Sequence, residues 1–230
     1  MEKFQVKEFG KNNKKVIFLL AGWKNRLWQF WWFSKILANH GFYCLTVTYD
    51  DEILSPDVTV TVSGLEEVAN SILLKIRELE AEGYHDFSVF GTSLGCVLAL
   101  MVANQSGAVS KVILNNTGGS VAEIVWSWDQ VNQGFKKALV QQGFDLSKLE
   151  ATWEKIAPEN NLDNLKSSKL LVYLAKKDEI IPYYLGEKLL AKLKEQNISY
   201  KLVINNTLNH SWTGAANLFN SRIYLDFLKS

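Results

Sequence analysis

Hydrophobic residues along this chain occur in short continuous runs, separated by longer stretches with helical periodicity. Strands that are covered on both faces of a sheet typically have such near-continuous apolar sequences. Six of these runs predict buried β-strands, at Val16–Ala21, Tyr43–Thr48, Phe87–Phe90, Lys111–Asn115, Leu170–Ala175 and Tyr200–Ile204. A weaker alternation from Phe4 to Phe9 predicts an edge strand. Because strands and helices alternate, we expect an α/β fold with a mostly parallel sheet and helices on both faces.

Helix ends are marked by capping residues and glycines. Ser63 and Glu66 have the spacing of a capping box, and the apolar stripe that follows them ends before Gly83. We therefore expect a helix to begin near Ser63. Almost every residue from Leu94 to Ala103 is apolar, which predicts a helix buried inside the molecule.

A further helix is predicted from about Trp28 to Asn39, ended by Gly41. Trp28, Trp31 and Trp32 have the i, i+3, i+4 spacing of one helical face. This spacing favours packing of the three tryptophans against the sheet over a role in ligand binding.

The stretch from about residue 118 to 168 contains helical patterns and several aromatic residues but no clear strand. We expect it to be a helical insertion, or cap, folded over the sheet of a single α/β domain that spans residues 1–230. Trp126 and Trp128 in this insertion are candidates for lining an apolar substrate pocket. Core packing within the insertion is an equally good interpretation of both residues.

Composition narrows the possible partners. The chain has 25 Lys and Arg against 24 Asp and Glu, and 47% of its residues are hydrophobic, so we expect no disorder and no nucleic-acid partner. No apolar run has the length of a membrane span, and the N-terminal residues lack the pattern of a signal peptide. We therefore predict a cytoplasmic protein with no membrane association.

The sequence contains no motif typical of a metal site or a cofactor site. Cys44 and Cys96 lie in apolar segments and are predicted to be reduced core residues. We expect no metal, because no cluster of His and Cys is present, and no cofactor, because no glycine-rich phosphate loop is present.

The residues Gly91-Thr92-Ser93-Leu94-Gly95 match the G-x-S-x-G pattern of a nucleophile elbow. In this motif a sharp turn between a strand and a helix presents a serine hydroxyl, and the glycines make room for neighbouring backbone. The motif lies between the predicted strand Phe87–Phe90 and the apolar helix that begins at Leu94. This context predicts that Ser93 is a catalytic nucleophile.

A serine hydroxyl needs a base to remove its proton, and the chain has three histidines. His40 precedes a helix stop, and His85 lies at the start of the strand whose other end carries Ser93. His210 follows the strand Tyr200–Ile204 on a loop just before a helix that is expected to begin near Trp212. Because open α/β folds build their sites at the carboxyl edge of the sheet, we predict that His210 is the base.

The imidazole needs an acid that fixes its tautomer. Asp178 follows the strand Leu170–Ala175 directly and is the predicted acid, with Glu179 as its rival. The order serine, acid, histidine is that of the α/β-hydrolases.

From Val16 to Leu228 the chain resembles the α/β-hydrolase superfamily of serine hydrolases. Asp178 to Pro182 resembles the family's Asp-x-x-Val/Ile-Pro stretch, and Gly22-Trp23 resembles its His-Gly-x oxyanion turn. The resemblance implies an α/β-hydrolase fold and an oxyanion hole formed by the backbone N–H groups of Trp23 and Leu94.

Three short segments carry a narrower resemblance, to the pimeloyl-carrier-protein methyl esterases of biotin synthesis. They are Leu20-Ala21-Gly22-Trp23, Tyr49-Asp50 and Asn115-Asn116-Thr117-Gly118. This resemblance implies a pimeloyl-carrier-protein methyl ester as one candidate substrate.

These observations together predict acyl transfer to water through an acyl-enzyme. We expect a carboxylesterase that acts on a small-molecule ester. The first alternative is a thioesterase or acyltransferase, since the same acyl-enzyme can be formed from, or passed to, another group. The second alternative, from another class, is a ligand receptor on the same fold with slow or absent catalysis.

Overall fold

The computed structural model describes residues 4–128 and 134–230. Its strands form a single seven-stranded sheet in the order β1-β3-β2-β4-β5-β6-β7, in which only the edge pair β1 and β3 is antiparallel. The strands are β1 Phe4–Phe9, β2 Lys15–Leu20, β3 Phe42–Tyr49, β4 Asp86–Thr92, β5 Val109–Asn115, β6 Lys169–Ala175 and β7 Tyr200–Asn205. Every predicted strand is present, with ends that differ by at most two residues. The predicted edge strand is confirmed.

Helices cover both faces of this sheet, as predicted. They are α1 Leu27–Asn39, α2 Val58–Ala81, α3 Leu94–Ser106, α4 Val121–Ser127, α5 Phe135–Gln141, α6 Leu146–Thr152, α7 Tyr183–Glu195, α8 His210–Phe219 and α9 Ser221–Lys229. Side chains of α2, α3 and α7 form one core layer with the sheet, and side chains of α1, α8 and α9 form the other. The alternation along β2 divides its residues between the layers: Val16, Phe18 and Leu20 face the first, and Ile17 and Leu19 face the second.

The start of α2 differs from the prediction. The helix begins at Val58, five residues before Ser63, and its N-cap is Asp57, whose side chain accepts a hydrogen bond from the Thr59 amide at 3.0 Å. Ser63 is an exposed residue inside the helix. The prediction was wrong because Val58 and Thr61 are buried, so that tertiary packing stabilises a first turn of β-branched residues with low intrinsic helix propensity.

The tryptophans of α1 also differ from the prediction. Trp28 and Trp31 are 76% and 47% exposed, and the helix packs on the sheet through Phe30, Phe33 and other residues of the opposite face instead. Trp32 stacks on Phe219 of α8, with ring centroids 4.4 Å apart. The prediction was wrong for Trp28 and Trp31, which lie on the side of α1 away from the sheet, whereas Trp32 is partly buried and packs against the core layer of α1, α8 and α9, as predicted.

The segment 118–168, which we call the cap, contains α4, α5, α6 and three short 3₁₀ turns; its residues 129–133 lie outside the described residues. Leu139, Leu149 and Trp153 of the cap are buried in the same core layer as α2. The indole N–H of Trp153 donates to the Val58 carbonyl at 3.1 Å. The single-domain organisation stays a prediction.

The cysteines and the helices bear on two predictions made from composition, reduced core cysteines and no membrane span. Cys44 and Cys96 are buried free thiols, as predicted. None of the helices in the described ranges combines the length and the hydropathy that a bilayer span requires. The cytoplasmic location stays a prediction.

Candidate active site

Ser93 lies in the turn between β4 and α3 with a strained backbone, at φ 52° and ψ −119°. Such a conformation costs roughly 1–3 kcal/mol and persists only when the surroundings impose it. Here they do, because a Cβ on Gly91 would lie 2.6 Å from the Cys96 Cα, and one on Gly95 would lie 2.7 Å from the Ala21 carbonyl oxygen. The two glycines of the motif therefore allow α3 to press against the ends of β4 and β2, with Ser93 at the apex.

His210 is the first residue of α8, two residues earlier than the predicted start of that helix. The helix is capped by Asn209, whose side chain accepts a hydrogen bond from the Trp212 amide at 3.1 Å. The His210 side chain is mostly buried, and its Nε2 lies 3.1 Å from the Ser93 Oγ. The structure thus brings the predicted base to the predicted nucleophile, across 117 residues of sequence.

Asp178 lies on the other side of the imidazole. Its Oδ2 is 2.7 Å from the His210 Nδ1, and its Oδ1 accepts hydrogen bonds from the Ile180 and Ile181 amides at 3.0 and 2.7 Å. These amides hold the carboxylate in one orientation, and the Asp178 side chain is only 3% exposed. When Nδ1 carries the proton and donates a hydrogen bond to Asp178, Nε2 is unprotonated and can accept the Ser93 hydroxyl proton.

The rival residues are not in the same position. Glu179 accepts a hydrogen bond from the His210 backbone amide at 3.1 Å, so it contacts the helix start rather than the imidazole. His40 is an exposed residue at the end of α1, and its Nδ1 lies 2.8 Å from the Ile36 carbonyl oxygen. His85 is exposed and directly precedes β4. Because β4 is a seven-residue strand, His85 lies roughly 20 Å from Ser93.

The predicted oxyanion residues border Ser93. Leu94 is the first residue of α3, so its amide has no partner within the helix, and Trp23 lies just beyond the end of β2. A Cβ on Gly22 would lie 3.4 Å from the Ser93 Cβ, which shows how closely this loop approaches the serine. The loop is held by the Tyr49 hydroxyl, which donates to the Ala21 carbonyl. Both amides are available next to Ser93, and their role in an oxyanion hole stays a prediction.

Ser93 and His210 open into a cleft of about 450 Å³ between the two core layers. Apolar side chains line it from both sides, with Leu54, Val97 and Val125 on the side of α3 and α4 and with Phe30, Leu218 and Phe219 on the side of α1 and α8. Among the described residues that line this cleft, none is Asp, Glu, Lys or Arg. The cleft therefore fits a neutral and largely apolar molecule.

The two cap tryptophans that were predicted to line the pocket lie in different places. Trp128 lines the cleft, and its ring packs edge-on against Trp23 with centroids 5.3 Å apart. Trp126 does not belong to the cleft lining within the described residues, and its ring lies under the Lys136 ammonium group at 4.8 Å. Both tryptophans are partly buried and pack against the core layer that contains α2 and α3, in line with the packing interpretation. Binding of substrate by either residue stays a prediction.

Cys96 lies directly behind the nucleophile. Its amide donates to the Ser93 carbonyl at 2.8 Å, and its Sγ lies 3.6 Å from the Asn115 carbonyl oxygen. Burial raises the pKa of the Cys96 thiol to about 12. Because the thiolate is the nucleophilic form of cysteine, Cys96 does not compete with Ser93.

Sequence reasoning assigned no role in the site to Asn115 and Asn116. Both are fully buried at the carboxyl end of β5, and their side-chain amides donate to backbone carbonyls of α8. A signal was available: two consecutive asparagines at the carboxyl end of a buried strand are unusual, because asparagine is rarely buried without hydrogen-bond partners.

Comparisons with known proteins agree with this architecture. A family model described as the prolyl oligopeptidase family matches residues 72–230. No curated protein matches the chain at a significant level.

Several solved structures have a similar fold. An acylaminoacyl peptidase from Pyrococcus horikoshii has 15% sequence identity and a TM-score of 0.72 over all of this chain, which spans only 42% of that protein. A thermostable carboxyl esterase from Bacillus coagulans has 12% identity and a TM-score of 0.67, and the match covers 100% of this chain and 99% of the esterase. An esterase from Exiguobacterium antarcticum has 17% identity and a TM-score of 0.61, and the match covers 99% of this chain and 96% of that esterase. At these identities the structures show a shared fold.

Proposed function

Because the chain belongs to the prolyl oligopeptidase family of α/β-hydrolase serine hydrolases, we propose that it is a carboxylesterase for neutral esters with small or medium acyl groups. The family and fold agree with the α/β-hydrolase resemblance of the sequence. The observation that carries the proposal is the continuous hydrogen-bonded arrangement of Ser93, His210 and Asp178 at the floor of a cleft without charged lining residues in the described chain.

The proposed mechanism follows from the donor and acceptor positions. Nε2 of His210 takes the Ser93 hydroxyl proton as Oγ attacks the ester carbonyl, and Asp178 stabilises the imidazolium that forms. The backbone amides of Trp23 and Leu94 stabilise the oxyanion of the tetrahedral intermediate, each by roughly 3 kcal/mol. His210 then returns the proton to the leaving alcohol, and an acyl-enzyme remains. Water repeats the sequence on the acyl-enzyme and releases the acid.

The cleft lining favours esters over substrates with a charge close to the scissile bond. A free peptide ammonium group or an ionised side chain that entered the cleft would lose hydration without gaining an ionic partner among the described lining residues. An ester with an apolar acyl group and a neutral alcohol has no such cost.

A peptidase is the second candidate, because the matching family is named for an oligopeptidase and one structural relative is an acylaminoacyl peptidase. An N-acylated aminoacyl substrate is also neutral at its blocked end. The chain spans 42% of that peptidase, so the activity of the larger protein is not transferred to this chain.

A matched substrate panel tests the proposal. Each acyl group is offered as a p-nitrophenyl ester, as an acyl thioester and as a p-nitroanilide, and a set of N-acylaminoacyl p-nitroanilides is added. We expect the highest kcat/KM for the esters at every acyl length, and no turnover above background in Ser93→Ala.

Other outcomes distinguish the alternatives. Higher kcat/KM for the N-acylaminoacyl anilides would identify a peptidase, and higher values for the thioesters would identify a thioesterase. Saturable binding of these compounds without turnover of any member would support the receptor hypothesis instead.

A further inference from the structure

We propose that Asn115 and Asn116 are positioning residues that fix the distance between Ser93 and His210. This inference rests on the proposed function, because it concerns the predicted base and the predicted nucleophile. Asn115 is the last residue of β5 and Asn116 follows it, and β5 lies in the sheet between β4 and β6. Ser93 follows β4 and Asp178 follows β6, so the two asparagines occupy the centre of the site.

Asn116 holds the start of α8. Its Nδ2 donates to the His210 carbonyl at 2.7 Å, and its own amide donates to the Tyr173 carbonyl of β6 at 3.1 Å. The residue is 1% exposed and has a left-handed backbone with φ 60°, a conformation that asparagine adopts more readily than most residues. The backbone of Asn116 is thus held by the sheet, and its Nδ2 is bonded to the residue that carries the imidazole, while its buried Oδ1 has no hydrogen-bond partner among the described residues.

Asn115 joins the nucleophile to the same helix. Its carbonyl accepts the Ser93 amide at 2.9 Å, and its Nδ2 donates to the Gly214 carbonyl at 3.1 Å, one turn beyond His210. Its Oδ1 accepts from the Nδ2 of Asn217 at 2.8 Å, one turn further along α8. A single fully buried residue therefore contacts both the Ser93 backbone and the His210 helix.

The chemistry of these contacts indicates positioning rather than packing. A buried amide is costly unless it is paired, so an apolar side chain would fill the same space with less penalty. Hydrogen bonds fix direction and distance, and proton transfer between Ser93 and His210 depends on their separation. A misplacement of about 1 Å in an active site can lower the rate about 100-fold.

The principal test is Asn116→Gly, which removes the amide and suits the positive φ. With a p-nitrophenyl ester we expect kcat to fall about 10- to 100-fold and KM to change less than about twofold. The rate at which a fluorophosphonate labels Ser93 should fall by a similar factor. A loss confined to kcat reflects a misplaced base, whereas a general loss of structure would also change KM and the fraction of active protein.

Asn13→Gly is the matched control. The Nδ2 of Asn13 donates to the Ala38 and Phe42 carbonyls at 2.8 and 2.9 Å, at the amino end of β3 and away from the site. This variant loses at least as many hydrogen bonds as Asn116→Gly, so its melting temperature should fall at least as much while its kcat stays within about twofold of the wild type. An equal loss of kcat in both variants would show that stability alone is affected and would overturn the proposal.

If Asn116→Gly does not fold, Asn217→Ala carries the test, because it removes only the outermost bond of the network. A several-fold loss of kcat at constant KM supports positioning, and an unchanged kcat overturns it. Failure of the proposed function gives a separate result in the wild type: a peptidase or a thioesterase would still be labelled at Ser93 but would prefer another member of the substrate panel, and a receptor would not be labelled at all.

Discussion

The nucleophile turn, residues 91–95, and the cap, residues 118–168, both border the cleft but are built in different ways. In the turn, neighbouring backbone atoms leave no room for a single added carbon at Gly91 or Gly95. Within the described residues of the cap, the α-helices are three segments of seven residues each, accompanied by short 3₁₀ turns. Helices this short depend on tertiary packing for their stability. The predicted nucleophile therefore lies where the backbone is fully constrained, and the residues predicted to set selectivity lie where it is less so.

An aromatic pair joins the cap to the loop after β2, which lies beside the nucleophile turn. Trp128 from the cap packs edge-on against Trp23, whose indole N–H donates to the Asp51 carbonyl at 2.6 Å. An edge-to-face pair contributes about 0.5–1.5 kcal/mol beyond its buried area. Asp51 also forms a two-pronged ion pair with Arg26, with N–O distances of 2.8 and 3.0 Å. The constrained region therefore continues from the turn through Trp23, and the cap is attached to its edge.

The largest expected effect lies in the constrained region. Ser93→Ala and His210→Ala should each lower kcat by a factor on the order of 10⁶, and the double variant should lose little more, because the residues act as one unit. Steady-state kinetics with a p-nitrophenyl ester measures this. His85→Ala is the control and should retain wild-type kcat. Wild-type activity in His210→Ala together with loss of activity in His85→Ala would show that His210 is not the base.

The next largest effect separates the two neighbouring acids. Asp178→Asn should lower kcat about 10⁴-fold, because an amide at this position favours the wrong imidazole tautomer. Glu179→Gln keeps an oxygen for the His210 amide and should change kcat less than about tenfold. Comparing kcat of the two variants under identical conditions is the measurement. A larger loss in Glu179→Gln would reverse the assignment.

A stability measurement tests the difference in backbone constraint directly. Gly95→Ala introduces a Cβ against the Ala21 and Leu20 carbonyls and should cost about 3 kcal/mol or more. For a chain of this length that lowers the melting temperature by roughly 6–12 °C.

Gly143→Ala in the cap is the comparison variant, since nothing lies within 4 Å of the added carbon. Its φ of 81° should cost only about 1 kcal/mol. Equal shifts in melting temperature for the two alanine variants would contradict the contrast between the regions.

The smallest effect concerns the cap. Trp128→Ala should change the ratio of kcat/KM for long against short acyl esters about tenfold, the scale of one hydrophobic pocket contact. Trp126→Ala, which lies outside the described cleft lining, should change that ratio much less. If both variants lose thermal stability but keep the wild-type chain-length profile, the cap tryptophans have a packing role and the selectivity hypothesis is wrong.

Much of the fold could be predicted because apolar runs and their alternation with helical patterns are local properties of the sequence. The strands, the buried helix after Ser93 and the residues that meet at the site all follow from apolar runs and from the shared edge at which parallel strands end. The start of α2 could not be predicted, because its first turn depends on burial of Val58 and Thr61 by distant residues. The exposed side of α1 could not be predicted either, since spacing defines a face without saying what covers it.

For the candidate site, the serine, the acid and the histidine and their order along the chain could be predicted. Ser93, Asp178 and His210 were found from a motif, a strand end and a loop position, and their catalytic roles stay predictions. Asn115 and Asn116 were not assigned to the site: two asparagines at the end of a buried strand signal buried hydrogen-bond partners, but those partners are backbone carbonyls more than 90 residues away in the sequence. Contacts of side chains with distant backbone leave no spacing pattern to recognise.

The uncharged cleft has a consequence for how substrates arrive. With a formal net charge of +1 and no charged residue in the described lining, the protein has no strong field that draws an ionic substrate toward Ser93. Encounter with a neutral ester is then governed by diffusion and by burial of its apolar surface. We expect kcat/KM to stay nearly constant as ionic strength rises from about 0.01 to 1 M, although the Debye length falls from about 30 to 3 Å over that range.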